Sequence, residues 1–214
     1  MIESGAGIIL RTLPLTETSL IVHWLSPTFG RIATVAKGAR RPKSPFSGKL
    51  DLFYEADISL GRSRTSDLHT LREVNVRQTN AALRLDMDKL RQAAYAAGLI
   101  VKATESETPL PDIFELFRQF LESLCAHEPS PQLVPAFEIK MLVALGLEPD
   151  WAETKLEPGT KKIVEAMLRR DFVSILSIKP TDTQLTELRQ FLHGFIIFHL
   201  GTVSRGRGRL NRSQ

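Results

Sequence analysis

The feature that most constrains this chain is a change of hydrophobic period near residue 79. Before it, apolar residues recur every second position. Leu20, Val22 and Trp24 interleave with Ile21, His23 and Leu25; Leu52, Tyr54, Ala56, Ile58 and Leu60 interleave with Phe53, Glu55, Asp57 and Ser59. That alternation belongs to strands with one buried face. Ile8–Leu10, which stops near Pro14, Ile32–Val35 after Gly30, and Leu68–Val76 after the polar turn Gly61–Asp67 complete five short runs. No helix-period window separates them. The pattern predicts a small closed or nearly closed barrel, for which the OB fold is the commonest five-strand solution; an SH3-like barrel fits almost as well.

From Asn80 onward the period is helical. Leu83, Met87, Leu90, Ala94, Ala97 and Val101 step by three and four, and Ile113, Phe117, Phe120 and Leu124 form a second stripe after Pro111-Asp112. Ser130-Pro131 opens a third segment carrying Phe137, Met141, Leu142 and Leu145, with Gly146 placed to end it. Thr160 is spaced to cap a helix holding Ile163, Val164, Met167 and Leu168. Thr181 and Gln184 form a capping-box pair before Leu185, Leu188, Leu192, Phe195 and His199, and Gly201 stands at the close. The expected class is therefore α+β with two domains: a five-stranded barrel over residues 1–78 and an all-α helical bundle over 79–204, followed by a basic Arg/Gly tail, 205–214.

Charge follows the same divisions. Residues 1–78 hold 11 Lys and Arg against 7 Asp and Glu, residues 79–204 hold 13 against 17, and the last ten hold four arginines and no acid. A basic–acidic–basic layout points to a polyanion met by the two ends of the chain. The single cysteine, Cys125, excludes an internal disulfide and a four-cysteine zinc site. It sits at the end of an apolar stripe, as a small buried residue does. No apolar run approaches the ~20 residues that span a bilayer, and the start lacks the pattern of a secretory signal. A cytoplasmic protein without membrane contact is expected.

Catalytic signatures are missing. There is no phosphate loop with its Gly-Lys-Ser/Thr ending and no His-Glu-x-x-His helix. Gly61-Arg62-Ser63-Arg64-Thr65 lacks the closing glycine of a nucleophile elbow. The five histidines are scattered, and no carboxylate cluster accompanies the basic residues. The expectation is a chain that is not an enzyme, with no catalytic residue, metal or cofactor.

One stretch is chemically pointed. Between Gly30 and Lys49 a strand carrying Arg31 runs into a loop with Lys37, Arg40, Arg41, Lys43 and Lys49, two glycines, two prolines and no acid. Several cations at fixed spacing on a constrained backbone suit phosphate binding. Phe46 lies within the run, either as a base-stacking platform or as a plug that holds the loop on the barrel. Arg205, Arg207 and Arg209 offer a second contact, or serve solubility alone.

Glu17-Thr18-Ser19-Leu20-Ile21-Val22, Gly30-Arg31, Val35-Ala36-Lys37-Gly38-Ala39-Arg40 and Thr70-Leu71-Arg72-Glu73 resemble, in order and spacing, the N-terminal domain of the RecO family of bacterial recombination mediators. Phe137-Glu138-x-x-Met141-Leu142-x-x-Leu145-Gly146 is similar to that family's mid-bundle helix, and Leu200-Gly201 with Ser204-Arg205 to its C-terminal motif. The resemblance implies an OB fold followed by helices, DNA repair and recombination through binding of single- and double-stranded DNA, and strand annealing. With RecR it implies loading of RecA onto strands coated by single-stranded DNA-binding protein (SSB), at the nucleoid. Many members carry a four-cysteine zinc module after the mid-bundle helix. Here Leu147–Thr160 has no cysteine, so no zinc is expected, and Trp151 and Leu156 are left to pack in its place. In some relatives the acidic, hydrophobic SSB tail binds the helical domain beside basic residues. Gln132–Pro135 has no arginine, which leaves Arg118 and Lys140 as candidates. The competing reading is an OB-fold scaffold that binds protein only, without direct annealing of DNA.

Overall fold

Trp24 shows why the first strands close on themselves. Its indole is fully buried, yet its N–H must be satisfied, and it donates to the equally buried Thr34 hydroxyl on the neighbouring strand at 2.9 Å. Around it pack Ile9, Val22, Ile32, Ile58, Leu60 and Leu71, one inward residue from each alternating pair. The structure, a computed structural model, describes residues 2–201. Five strands, β1 (Ile2–Pro14), β2 (Leu20–Ser26), β3 (Gly30–Ala36), β4 (Glu55–Gly61) and β5 (Leu68–Gln78), form a closed barrel in the order β1-β2-β3-β5-β4. This is the OB arrangement, with β3 and β5 parallel and the other pairs antiparallel.

Two strands depart from the expected limits. β1 begins at Ile2 and serves both neighbours, pairing with β4 through Ile8 and with β2 from Ile8 onward. A register shift between Ile9 and Arg11 lets Ile8, Ile9 and Leu10 all be buried. β4 starts at Glu55, because the alternating run from Leu52 passes through a turn. Phe53 adopts φ 63° and donates its N–H to the Ile9 carbonyl at 2.8 Å.

Helical segments follow: a 3-10 turn (Ala81–Leu85), α1 (Met87–Ala103), α2 (Pro111–Ala126), α3 (Leu133–Ala144), α4 (Pro158–Arg169), α5 (Phe172–Ile175) and α6 (Asp182–Leu200). α3 is apolar nearly all round and touches α1, α4, α5 and α6, the position such a helix requires. Phe120 packs on Phe137 at 4.7 Å and on Phe172 at 5.4 Å. The capping box of Thr181 and Gln184 is formed, and the second stripe, Ile113, Phe117, Phe120 and Leu124, is buried throughout.

Other expectations are corrected. Of the stripe expected across α1, Ala97 is buried with Gln92, Ala93, Tyr95, Ala96, Leu99 and Ile100, and Leu83 is buried just before the helix, whereas Met87, Ala94 and Val101 look outward. Thr160 does not cap α4: Glu157 and Pro158 open that helix, and the buried Thr160 hydroxyl donates to the Glu187 carboxylate. In α6 the core line continues from Leu192 to Ile196, not to Phe195 and His199. Leu156 is buried, and Trp151 packs against Phe191 at 5.7 Å.

The compact unit that contains the barrel is also larger than residues 1–78. It extends through Ala81 and takes in Thr104–Arg118, while Ala82–Ala103 and the chain from Gln119 onward form the second unit. Within that second unit the Tyr95 hydroxyl donates to the Glu138 carboxylate, both fully buried. Tyr95→Phe removes this donor and is expected to cost about 1–3 kcal/mol, read as a lower denaturant midpoint at unchanged m-value.

Candidate nucleic-acid interface

Beyond β3 the chain turns repeatedly without entering regular structure. Backbone N–H groups of Ala39, Arg41, Ser44, Ser47 and Lys49 each donate three residues back, at 3.0–3.3 Å, so residues 36–49 are a string of linked turns. Two anchors fix the string to the barrel. Phe46, 7% exposed, sits in the barrel core. At the other end the Arg40 N–H donates to the Thr18 carbonyl at 2.9 Å, its guanidinium to the Thr16 carbonyl at 3.2 Å, and the Gly38 N–H to the Ser19 hydroxyl at 3.4 Å. The basic loop therefore lies against the β1–β2 turn, one of the loops with which OB folds bind oligonucleotides.

Lys37, Arg40, Arg41 and Lys43 are exposed and Lys49 half-buried. Among the described residues, the side chains of Lys37, Arg41, Lys43 and Lys49 meet no acid. The stitched loop thus holds five cations at fixed spacing.

Two residues grouped with these by sequence do other work. Phe46 offers no free face for stacking, so of its two readings the core plug is the one the structure fits. Arg31 is half-buried and turned away from the loop: its Nε donates to the Thr104 hydroxyl at 2.8 Å and its Nη2 to the Thr104 carbonyl at 2.5 Å. Burial lowers its pKa from the ordinary arginine value.

Arg31 belongs to a strap. β5 pairs with β3 over only Ala33–Val35, which leaves the start of β3 as an open edge. Thr104–Leu110 covers it. Ser106 bridges Arg31, the Glu107 N–H donates to the Arg31 carbonyl at 2.9 Å, and the Leu110 N–H donates to the Pro27 carbonyl at 3.2 Å. Glu107 also pairs with Arg62 at 2.9 Å, and Arg62 with Glu3 at 3.4 Å. The buried His69 accepts from the Ser63 N–H through Nδ1, and its Nε2 lies 3.1 Å from Glu107 without hydrogen-bond alignment.

Sequence reasoning passed over two cationic features of the barrel. Arg11 stands opposite His23 in the β1–β2 register; burial, then Arg11 and Arg31, push the His23 pKa below its ordinary value. Arg72 and Thr70 line an open groove of 370 Å³ with Arg62, Ser63 and Gly61. Arg11 and Arg72 are single basic residues on strands, where only the alternation of strand faces signals exposure.

The partner-binding candidates are occupied. Arg118 forms two bonds to Glu115, at 2.7 and 2.8 Å. Lys140 donates to the Leu168 carbonyl at 3.3 Å, and burial lowers its pKa. Cys125 is half-buried, and burial raises the pKa of its thiol. Arg205, Arg207 and Arg209 lie outside the described residues. No helix among the described residues is long and apolar enough to cross a membrane.

Comparison with known proteins gives two family matches: residues 1–80 match the model described as Recombination protein O N terminal, and residues 84–154 the one described as Recombination protein O C terminal. The chain is similar to proteins named DNA repair protein RecO. It is 33% identical over 143 residues to that of Anaeromyxobacter sp. (strain K), covering 67% of this chain and 56% of the relative. For Idiomarina loihiensis the figures are 34% over 146 residues, 68% and 61%; for Burkholderia pseudomallei they are 36% over 145 residues, 68% and 51%. The chain thus spans little more than half the length of the relatives it matches. Two matched models of one family, in chain order over a barrel and the helices that follow it, place the chain in the RecO family.

Proposed function

We propose that this chain is a non-enzymatic DNA repair and recombination mediator. It binds single- and double-stranded DNA on the barrel, anneals complementary strands and, with RecR, helps load RecA onto SSB-coated DNA. Its place of work is the chromosome in the cytoplasm. The observation that carries this reading is the stitched loop: exposed cations without acidic partners, pinned beside the β1–β2 turn by Phe46 and Arg40. The relatives' names, DNA repair protein RecO, support the same role.

Phosphate contacts have a measurable signature. Each phosphate neutralised on a single strand contributes about 0.7 to the slope of log affinity against log salt. With Arg40, Arg41 and Lys43 each holding one, changing all three to Ala flattens that slope by about 2. Affinity falls alike for every base sequence, since phosphates carry no sequence information. An unchanged slope in the triple variant overturns the assignment and favours a barrel that binds protein only.

A further inference from the structure

The outer face of β1, β2 and β3 carries cations of its own, outside the basic loop. Side chains alternate across a strand, so with Val22 and Trp24 in the core, His23 points outward. Its register partners are Arg11 on β1 and Ala33 on β3, and two residues further on Leu25 pairs with Arg31. Side chains directly opposite have Cβ atoms about 4.5–5.5 Å apart, and like charges so placed destabilise a sheet. Arg11 is exposed and His23 half-buried, and neither makes a hydrogen bond or ion pair among the described residues. Arg31 cannot swing aside, since two bonds to Thr104 fix its guanidinium.

A histidine in that position responds to whatever charge arrives beside it. Burial, then Arg11, then Arg31 hold its pKa below the ordinary imidazole value, so in the free protein the ring is mostly neutral at pH 7. Those two arginines are the charged groups that bear on it, and no acid counters them among the described residues. On β2 the neighbours of the same parity, Ile21 and Leu25, are apolar, and the strap reaches Arg31 through the uncharged Thr104 and Ser106. An anion between Arg11 and His23 reverses the balance. It offsets the guanidinium charges and accepts a hydrogen bond from the ring, and both effects favour imidazolium. The surrounding surface suits a nucleic-acid strand as the source of that anion. Leu13, Ile21 and Val35, register partners on the three strands, form a half-buried apolar row between the pair and Lys37 of the basic loop. Lys37 stands four residues beyond Ala33, about 13 Å at the rise of a strand. One strand held by the loop therefore crosses the row and meets the pair.

We propose that Arg11 and His23 form a second phosphate site for a nucleic-acid strand, at which His23 takes up a proton from solvent and donates to the phosphate as imidazolium. The site rests on the reading of this chain as a nucleic-acid binder and adds to it a dependence on pH. Binding and protonation favour each other. Affinity therefore rises as pH falls from neutrality, and levels off once the ring is charged in the free protein as well.

The test uses the full chain and oligothymidylate, with affinity measured from about pH 8 to about pH 5.5. Over that range wild type is expected to gain about five- to tenfold more than His23→Gln, the difference between a charge-assisted and a neutral hydrogen bond. His23→Gln keeps a neutral donor, so at the alkaline end it binds as wild type does. Arg11→Gln loses one phosphate contact and flattens the salt slope by about 0.7. Wild type alone gives an independent reading: calorimetry in two buffers of different ionisation enthalpy counts the protons taken up, and the NMR signal of the ring follows its charge. The loop triple variant binds more weakly yet keeps the pH dependence. Equal pH dependence in wild type and His23→Gln, an unchanged slope in Arg11→Gln, or binding without proton uptake overturns the site and leaves the loop's assignment standing. Absence of any binding overturns both. Inorganic phosphate and polyglutamate, matched in total charge to the oligonucleotide, are expected to move the ring's signal far less. An equal response to phosphate assigns the pair to a free anion, an equal response to polyglutamate assigns it to an acidic protein, and either overturns the strand as its occupant.

Discussion

A Gly30→Ala variant is expected to lose about 4 kcal/mol of stability and to melt about 10 °C below the parent chain. Gly30 has φ +68°, where an alanine carries about 1–2 kcal/mol of backbone strain. The larger contribution is steric. A Cβ there would lie 1.8 Å from the Thr108 carbonyl oxygen and 2.7 Å from its nitrogen. Both are backbone atoms, so the strap must move. Its movement breaks the Glu107–Arg31 and Leu110–Pro27 bonds and pulls Thr104 from the Arg31 guanidinium, each worth about 1 kcal/mol. Gly48→Ala is the control: φ is +72° but nothing lies within 4 Å, so about 1–2 kcal/mol is expected. Denaturant midpoints of the two variants measure the difference, and equal losses contradict the role given to the strap.

The second large effect is loss of the barrel when the strap is cut away. A fragment ending at Ala81 exposes the start of β3, leaves Arg31 and the buried His69 without their contacts to Thr104 and Glu107, and uncovers Phe53. Phe53 is buried against Phe117, 6.2 Å away, and its strained φ of 63° is held by an Asn80 bond to its carbonyl at 2.8 Å. Losing a large aromatic contact alone costs about 3–5 kcal/mol, a substantial part of the 5–15 kcal/mol that holds a typical domain. The fragment is expected to show no cooperative melting by circular dichroism. Appending residues 104–118 through a glycine–serine linker is expected to restore the transition. A fragment that melts cooperatively without them contradicts this account.

Particular residues explain what could be read from the sequence. β2, β3 and β5 were legible because each is a short run rich in Leu, Ile and Val that is entered from a turn. The second helix and the α6 cap were legible because their signals, an aromatic stripe and a Thr-x-x-Gln pair, have no rival interpretation. The start of β4 was not, since Leu52, Phe53 and Tyr54 continue the alternation through a turn whose φ at Phe53 no pattern reports. α1 is rich in alanine and apolar on much of its surface, so spacing alone mixed buried Ala97 with exposed Met87, Ala94 and Val101. The strap left no trace: Thr104-Glu105-Ser106-Glu107-Thr108 is polar and reads as an ordinary connection between helices. For the interface, the loop cations were visible as a run without acids. The environment of Arg31 was invisible, because an arginine does not name its partner, and for Phe46 the sequence left two environments open.

The strap has a consequence for the order in which this protein is made. The last strand of the barrel ends at Gln78, but the piece that closes its open edge comes only after α1, at Thr104–Arg118. At synthesis rates of about 5–20 residues per second, the nascent barrel waits several seconds for it. During that interval the start of β3 is an unpaired edge able to pair with a strand of another chain. The ribosome-bound stage is therefore when this fold is most exposed to misassembly, and slowing translation between Ala81 and Thr104 lengthens that exposure.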